Sequence, residues 1–248
     1  MLNPPRSDDP GAQSPGHALG VAALGVAVLA VVTAVAMLVT RTDVTSAASA
    51  TMSAPTPAGA SPACSYIPDG TPAVPVRPPA QLRPPHNGTL QVELTTSADP
   101  IPLTLDRSLA PCSVASMLSL ATQGYFSNTL CHRLTTSVIF VLQCGDPTGN
   151  GTGGPGYTVP DEPPAAGSAD YPRGTVAMSN AGQPHTGGSQ FFLVYRDSPL
   201  PPAYTVLGTV GEAGLLTVDR VAAAGTVSGS GDGSPARPVT IRTVSAAG

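Results

Sequence analysis

Residues 131–146 read CHRLTTSVIFVLQCGD, and the apolar run from Val138 to Gln143 inside them decides the fold class. The run is short, rich in β-branched and aromatic residues, and followed by a glycine, which is typical of a buried strand. Similar runs follow at Thr175–Ser179, Phe191–Tyr195 and Tyr204–Val210, separated by loops rich in glycine or proline. Several short strands spaced in this way predict a closed sheet.

The segments on either side of these strands complete the fold. Residues 90–94 and 101–105 each alternate apolar and polar side chains across a turn, which predicts a hairpin. Apolar residues then recur at helical spacing between Pro111 and Gly124, so a helix is expected there. A second helix over 215–222 and a last strand over 239–244 give a mainly β domain with two helices.

Five short motifs point to one family. In chain order they are CHRL (131–134), IFVLQCGD (139–146), GTGGPGY (151–157), MSNAG (178–182) and GSQFF (188–192). They resemble the blocks F-H-R, F-x-x-Q-x-G-D, G-T-G-G, M-A-N-A-G and G-S-Q-F-F of the cyclophilins, from about His86 to the C-terminus. The resemblance implies a closed eight-stranded β-barrel capped by two helices, with peptidyl-prolyl cis/trans isomerase activity on the outer face of the barrel.

The resemblance also implies a set of site residues. The catalytic residues would be Arg133, Phe140 and Gln143. The substrate-binding residues would be Val141, Gly151, Ser179, Asn180, Ala181, Gln190, Phe192, Leu200 and Tyr204. Leu200 and Tyr204 stand where the family usually has Trp and His, with a spacing that differs by one residue. The loop between Arg133 and Phe140 is longer than the family's.

These residue types suit isomerisation of an X-Pro bond. Rotation about a peptide C–N bond breaks its resonance, at a barrier of about 18–20 kcal/mol. In the twisted state the nitrogen regains a lone pair, so a fixed donor beside it and dry apolar surroundings both favour that state. The guanidinium of Arg133 is a permanently charged donor, and Phe140, Val141 and Phe192 supply apolar surface.

The N-terminal third of the chain has a different character. Ala18 to Thr40 contains no charged side chain and spans about 30 Å as a helix, enough to cross a bilayer. The prediction is a short tail (1–17), one transmembrane helix (18–40), a disordered linker rich in Pro, Ala and Ser (41–85) and the isomerase domain (86–248). A cleavable signal peptide is the alternative, because Ala47–Ala50 could be cut.

The placement of the domain follows from the resemblance, because the positive charges flanking the apolar run do not indicate an orientation. The anchored layout is similar to extracytoplasmic cyclophilin-type proteins of actinobacteria, which implies a single-pass cell-membrane protein with its catalytic domain outside the cytoplasm. Within the linker, Cys64 and Tyr66 either mark a point of attachment to the domain or are incidental. Cys64, Cys112, Cys131 and Cys144 allow three disulfide pairings, and reduced buried thiols are the other option.

Several other functions find no support. The chain has 11 Lys+Arg against 15 Asp+Glu, so it lacks the basic surface that nucleic acid requires. The histidines have no metal-ligand spacing, and we expect neither metal nor cofactor. The motif G-x-G-x-x-G at 149–154 precedes Pro155 and Gly156 where a helix would have to begin, so a dinucleotide site is rejected. No Gly-x-Ser-x-Gly elbow surrounds Ser189, which disfavours a serine hydrolase.

Two functional hypotheses remain. The first is a monomeric isomerase that accelerates the folding of exported or cell-envelope proteins at X-Pro bonds. The second is a chaperone or scaffold module that holds proline-containing polypeptides with weak or no turnover. The residues at the positions of Leu200 and Tyr204 motivate the second hypothesis.

Overall fold

The computed structural model describes residues 63–163 and 170–246. The predicted tail, the predicted transmembrane helix and residues 41–62 of the predicted linker lie outside the described residues. Within the described ranges, no helix is both long enough and apolar enough to cross a bilayer.

The described residues form fourteen strands and two helices. The helices are α1 (Pro111–Thr122) and α2 (Glu212–Ala223). The strands are β1 (Ile67–Pro68), β2 (Thr89–Thr96), β3 (Ile101–Asp106), β4 (Thr129–Leu130), β5 (Arg133–Thr135), β6 (Val141–Cys144), β7 (Tyr157–Thr158), β8 (Asp170–Tyr171), β9 (Thr175–Met178), β10 (Phe191–Val194), β11 (Ser198–Pro199), β12 (Val206–Val210), β13 (Asp232–Gly233) and β14 (Thr240–Ala246). The predicted hairpin, both predicted helices and the predicted apolar strands are confirmed, with boundaries shifted by a few residues.

Ten of the strands form one curled antiparallel sheet in the order β13-β5-β6-β10-β9-β12-β3-β2-β14-β4. The chain runs from one end strand, β4, to the strand next to the other end, β5, because β4 ends at Leu130 and β5 begins at Arg133. The backbone N–H of Cys131, in that connection, donates to the carbonyl of Val239 at 2.9 Å. The end strands, β4 and β13, have two residues each and do not pair with each other. The sheet is therefore a ten-stranded half-barrel rather than the predicted closed barrel of eight strands.

Alternation of side chains explains how the sheet forms a core. In β3, Ile101, Leu103 and Leu105 are buried while the residues between them are partly exposed, as expected for a strand with one covered face. The strands β6, β9 and β10 differ, because every residue in them is buried. The centre of the sheet is therefore covered on both of its faces.

Residues 63–85, which we call the N-terminal strap, fold onto the domain. Strand β1 of the strap pairs with β7, and the N–H of Ala73 donates to the carbonyl of Gly154 at 2.9 Å. The backbone of Arg77 exchanges two hydrogen bonds of 2.9 Å with the side chain of Gln123 at the end of α1. The structure thus differs from the predicted disordered linker here, because the strap's backbone polar groups find partners in the domain.

The cysteines form two disulfides, Cys64–Cys112 and Cys131–Cys144, and none is free. The first attaches the strap to the start of α1, beside a 3.0 Å hydrogen bond from the Tyr66 hydroxyl to the carbonyl of Cys112. Of the two interpretations of Cys64 and Tyr66, the structure therefore supports attachment. The second disulfide joins Cys131, just before β5, to Cys144, the last residue of β6, next to the residues described below.

Candidate active site

Strand register brings Arg133 and Gln143 together. Arg133 on β5 lies opposite Gln143 on β6, and its Nη1 donates to Oε1 of Gln143 at 3.2 Å. On the other side of β6, Gln143 lies opposite Phe192 of β10. Since alternate residues of a strand share a face, Val141 and Gln143 both point toward the outer side of the sheet. The polar side chains of Arg133 and Gln143 therefore lie beside the apolar side chains of Val141 and Phe192.

The apolar surface is a second hydrophobic cluster, separate from the barrel core, which we call the outer cluster. Its buried members are Val141, Tyr171, Ala177, Phe192 and Val194, and partly exposed Leu200, Tyr204 and Val206 pack against them. The rings of Phe192 and Tyr204 meet edge to face, with centroids 5.3 Å apart and planes at 87°. Four of the predicted substrate-binding residues, Val141, Phe192, Leu200 and Tyr204, are thus brought together.

Asp232 holds the guanidinium of Arg133 in a fixed plane. Nε of Arg133 donates to Oδ1 of Asp232 at 2.8 Å, and Nη2 donates to Oδ2 at 2.7 Å. Such a two-point contact fixes the orientation of the fork as well as its position. The hydrogen bonds from Arg133 lower the pKa of Asp232 below its ordinary value. They also raise the pKa of Arg133, to which the nearby phenol of Tyr204 adds a smaller contribution.

No motif or periodicity pointed to Asp232, which lies 99 residues from Arg133 in a Gly/Ser-rich stretch. The fold brings the two together because β13 pairs with β5, placing Asp232 opposite Thr135. The backbone N–H of Thr136 also donates to the carbonyl of Gly231 at 2.8 Å, which fixes the loop that carries Asp232.

Six predicted residues line a second feature, which we call the polar groove. It is a cavity of about 350 Å³, and the six are Gln143, Gly151, Ser179, Asn180, Ala181 and Gln190. Nε2 of Gln143 donates to Oε1 of Gln190 at 2.8 Å and to Oγ of Ser179 at 3.2 Å. Gln190 in turn donates to the carbonyls of Gly151 and Gly153 at 2.9 and 3.0 Å. A continuous network therefore connects Arg133 to the floor of the groove.

The glycine-rich loop beside the groove is organised by one buried carboxylate. Asp146 accepts hydrogen bonds from the N–H groups of Thr148 and Gly151, both at 2.7 Å. Burial opposes ionisation of Asp146, but the hydrogen bonds from Thr148, Gly153 and Gly151 outweigh it and lower the pKa of the carboxyl. A Cβ at Gly153 would lie 2.0 Å from Oδ1 of Asp146, so this position requires glycine.

Comparison with known proteins identifies the family. The sequence profile of the family described as cyclophilin type peptidyl-prolyl cis-trans isomerase/CLD matches residues 91–246. The chain belongs to the cyclophilin family.

Among curated proteins, this cyclophilin is similar to two that are named probable peptidyl-prolyl cis-trans isomerase B. The protein from Mycobacterium leprae is 47% identical over 194 residues, which cover 73% of this chain and 65% of that protein. The protein from Mycobacterium tuberculosis is 50% identical over 194 residues, covering 73% and 63% respectively. The chain therefore spans slightly less than two thirds of the length of these relatives.

Two solved structures of a cyclophilin type peptidyl-prolyl cis-trans isomerase from Cryptosporidium parvum have a similar fold. The first has a TM-score of 0.56 and 26% identity, and the match covers 65% of this chain and 99% of that chain. The second was determined in the presence of the dipeptide Ala-Pro and has a TM-score of 0.54 and 27% identity, with 64% and 99% covered.

One predicted site residue of this cyclophilin lies apart from the others. The ring of Phe140 packs on Tyr195 with centroids 6.0 Å apart, and the guanidinium of Arg196 lies 4.3 Å from its centroid. By its contacts Phe140 belongs to the barrel core rather than to the outer cluster. Adjacent strand residues face opposite sides, and Phe140 directly precedes Val141. The catalytic role of Phe140 stays a prediction.

The remaining titratable neighbour of Arg133 is His132. Burial lowers the pKa of His132, and the adjacent charge of Arg133 acts in the same direction. In the described part of the chain, no group of three His, Cys, Asp or Glu residues is placed to hold a metal ion. With His132 neutral near pH 7, the positive charge beside the outer cluster comes from Arg133.

Proposed function

We propose that this chain catalyses cis/trans isomerisation of X-Pro bonds in exported or cell-envelope polypeptides. The observation that supports it most is the guanidinium of Arg133, fixed by Asp232 and Gln143 next to the outer cluster in a member of the cyclophilin family. The related structure determined in the presence of Ala-Pro supports proline-containing peptides as the substrate class.

The donor geometry of Arg133 suits the reaction. A guanidinium has five N–H groups. Three of them donate to Asp232 and Gln143, so two remain without an acceptor among the described residues. One of these two can donate to the prolyl nitrogen as it becomes pyramidal, which stabilises the twisted state over the planar one. Lowering the barrier by about 7 kcal/mol would accelerate exchange about 10⁵-fold.

The outer cluster and the polar groove take the other parts of the substrate. The prolyl ring packs on the apolar surface of Phe192, Leu200 and Tyr204, which excludes water from the rotating bond. The main chain of the peptide lies along the groove, where Oε1 of Gln190, which accepts one hydrogen bond from Gln143 and can accept a second, and the backbone near Asn180 offer hydrogen-bonding groups. The ring is thus held while the acyl side turns.

The proposed location is the cell membrane, with one N-terminal span and the catalytic domain on the extracytoplasmic side. The uncharged run 18–40 supports the span. The two disulfides support an oxidising compartment, since structural disulfides persist mainly outside the cytosol. A reporter fused after Gly248 tests the orientation: activity outside the cytoplasm is expected, and activity only in the cytoplasm would refute it.

The test of the function is exchange spectroscopy on a peptide with one proline, using the full-length chain. We expect accelerated exchange with the wild type and a loss on the order of 100-fold with Arg133→Ala, because one transition-state donor is removed. Arg173→Ala is the matched control, since Arg173 forms a similar ion pair with Asp219 elsewhere. Equal rates for the wild type and Arg133→Ala would refute the proposal. If the variant loses turnover but keeps its cellular role, a binding module is the better description.

A further inference from the structure

The polar groove contains a charged residue that comes from outside the barrel. Asp69 of the N-terminal strap lines the groove together with Gln143, Asn180 and Gln190. Among the described residues that line it, Asp69 carries the only formal charge. The groove is therefore polar but neutral except at the strap, where it is negative.

The backbone of the strap fixes where Asp69 lies. The N–H of Asp69 donates to the carbonyl of Gly156 at 2.9 Å, directly after the paired residues of β1. Gly156 has a φ of +78°, and a Cβ there would lie 2.8 Å from Cδ of Pro72, so the two segments are in close contact. The Cys64–Cys112 disulfide anchors the start of the strap. Asp69 is thus held at the groove by covalent and hydrogen-bonded constraints.

The carboxylate of Asp69 forms none of the structural hydrogen bonds that two other carboxylates of the domain, Asp161 and Glu162, form. Glu162 accepts hydrogen bonds from the N–H groups of Cys112 and Ser113, both at 2.9 Å, at the start of α1. Asp161 accepts from the N–H of His185 at 2.7 Å. In the ranges that the structure describes, Asp69 has neither a side-chain hydrogen bond nor an ion pair. Its charge is available to a ligand in the groove.

We propose that Asp69 makes the groove a subsite for a cationic side chain, Lys or Arg, of the substrate. This inference rests on the proposed function, because the groove adjoins the outer cluster through Gln143 and would hold residues near the proline. A lysine or arginine there gains the attraction of one carboxylate, whereas a glutamate is repelled. For an ion pair exposed to water, the preference for Lys over Glu amounts to about two- to fivefold.

The experiment separates this subsite from the isomerase activity. The full-length chain is given alanine-based peptides with one proline, and Lys, Gln or Glu replaces alanine at each position on either side in turn. Binding of each peptide is measured by fluorescence anisotropy, and exchange of the all-alanine parent is measured by NMR. The variants are Asp69→Asn, Asp69→Lys and, as a control with the same change in net charge, Asp99→Asn. Asp99 is exposed and pairs with Arg220, and it does not line the groove.

We expect a preference for Lys over Glu at one position, which disappears in Asp69→Asn, reverses in Asp69→Lys and persists in Asp99→Asn. The preference should also shrink as salt is raised, since exposed charges are screened. No preference at any position, or one that Asp69→Asn retains, overturns the subsite. Loss of exchange with the alanine parent would count against the proposed function alone, because the binding preference is measured independently of turnover.

Discussion

The two halves of the site are built from different parts of the chain. Arg133 and four of the five buried members of the outer cluster, Val141, Ala177, Phe192 and Val194, lie on strands β5, β6, β9 and β10, whose register is fixed by pairing across the sheet. The polar groove is built from glycine-rich loops, the segment near Asn180 and the N-terminal strap. Under the proposed function, the strands carry the chemistry of isomerisation, while the loops and the strap determine which peptides bind.

After the loss expected of Arg133→Ala, the largest effect is expected in the part of the site built from strands, which we call the strand half. Phe192→Leu should lower kcat/KM about tenfold, because the prolyl ring loses the aromatic surface that packs on Tyr204. Its neighbour Phe191, buried in the core against Phe126, gives a matched control. Phe191→Leu should lower the free energy of unfolding by about 1–2 kcal/mol and leave turnover of the folded protein unchanged. Peptide exchange and urea unfolding measure both. Equal turnover in the two variants would contradict the assignment of Phe192 to the site and of Phe191 to the core.

A smaller effect is expected at Asp232, whose carboxylate holds the guanidinium of Arg133. Asp232→Asn keeps the shape but weakens the hold on the guanidinium, so kcat should fall about fivefold with KM nearly unchanged. Asp232→Glu should restore part of the rate. Asp219→Asn breaks a similarly exposed Arg–Asp pair away from the site and should leave kcat unchanged. If both Asn variants behave alike, Asp232 has no positioning role.

The same pair predicts the acid limb of the pH profile. The pKa of Asp232 is lowered by Arg133, so the ion pair is fully present above the ordinary Asp value of about 3.9. It is lost as the pH falls through the lowered value. Turnover should therefore be flat between about pH 5 and pH 8. A titration of kcat with a midpoint near neutrality would assign the rate to another group, such as His132.

On the groove half, Gln190→Ala should raise KM about threefold and leave kcat almost unchanged, because it removes uniform binding rather than transition-state stabilisation. Gln91→Ala, on the exposed side of β2, is the control. A fall in kcat without a change in KM would show that Gln190 acts in transition-state stabilisation rather than in substrate binding.

The smallest effect on turnover is expected from the strap. Replacing Cys64 and Cys112 by Ser should leave exchange of a neutral peptide unchanged. It should lower the free energy of unfolding by about 4 kcal/mol, because the bond closes a loop of 48 residues. The Cys131–Cys144 bond flanks Arg133 and Gln143, so its replacement should also reduce turnover. We expect turnover to fall only in the variant that lacks the Cys131–Cys144 bond. Equal loss of turnover in the two double variants would contradict the division of roles between strands and strap.

The strand half could be predicted from sequence because its information is local. Apolar runs and alternation gave β2, β3, β6, β9, β10 and β12, and family motifs gave Arg133, Gln143 and Phe192. In the structure, strand pairing places Arg133 opposite Gln143 and Gln143 opposite Phe192. Phe140 shows the limit of this reasoning, because a motif names a residue but does not give the side of the sheet on which its ring packs.

The other parts depend on contacts between distant residues. Asp232 meets Arg133 through pairing of two short strands, β13 and β5, which have no apolar pattern of their own. The strap is rich in proline and has no periodicity, so its sequence predicts a linker. Its attachment to the domain depends on the Cys64–Cys112 disulfide and on the pairing of β1 with β7, which only the fold shows. The choice among three disulfide pairings likewise required the fold.

Under the proposed function, Arg133 acts on the rotating bond rather than on binding. Exchange spectroscopy at saturating peptide tests this, because it measures the cis/trans interconversion rate on the protein and the dissociation constant separately. We expect Arg133→Ala to bind the peptide within about threefold of the wild type but to interconvert it on the order of 100-fold more slowly. An unchanged interconversion rate on the variant, with weakened binding alone, would contradict it.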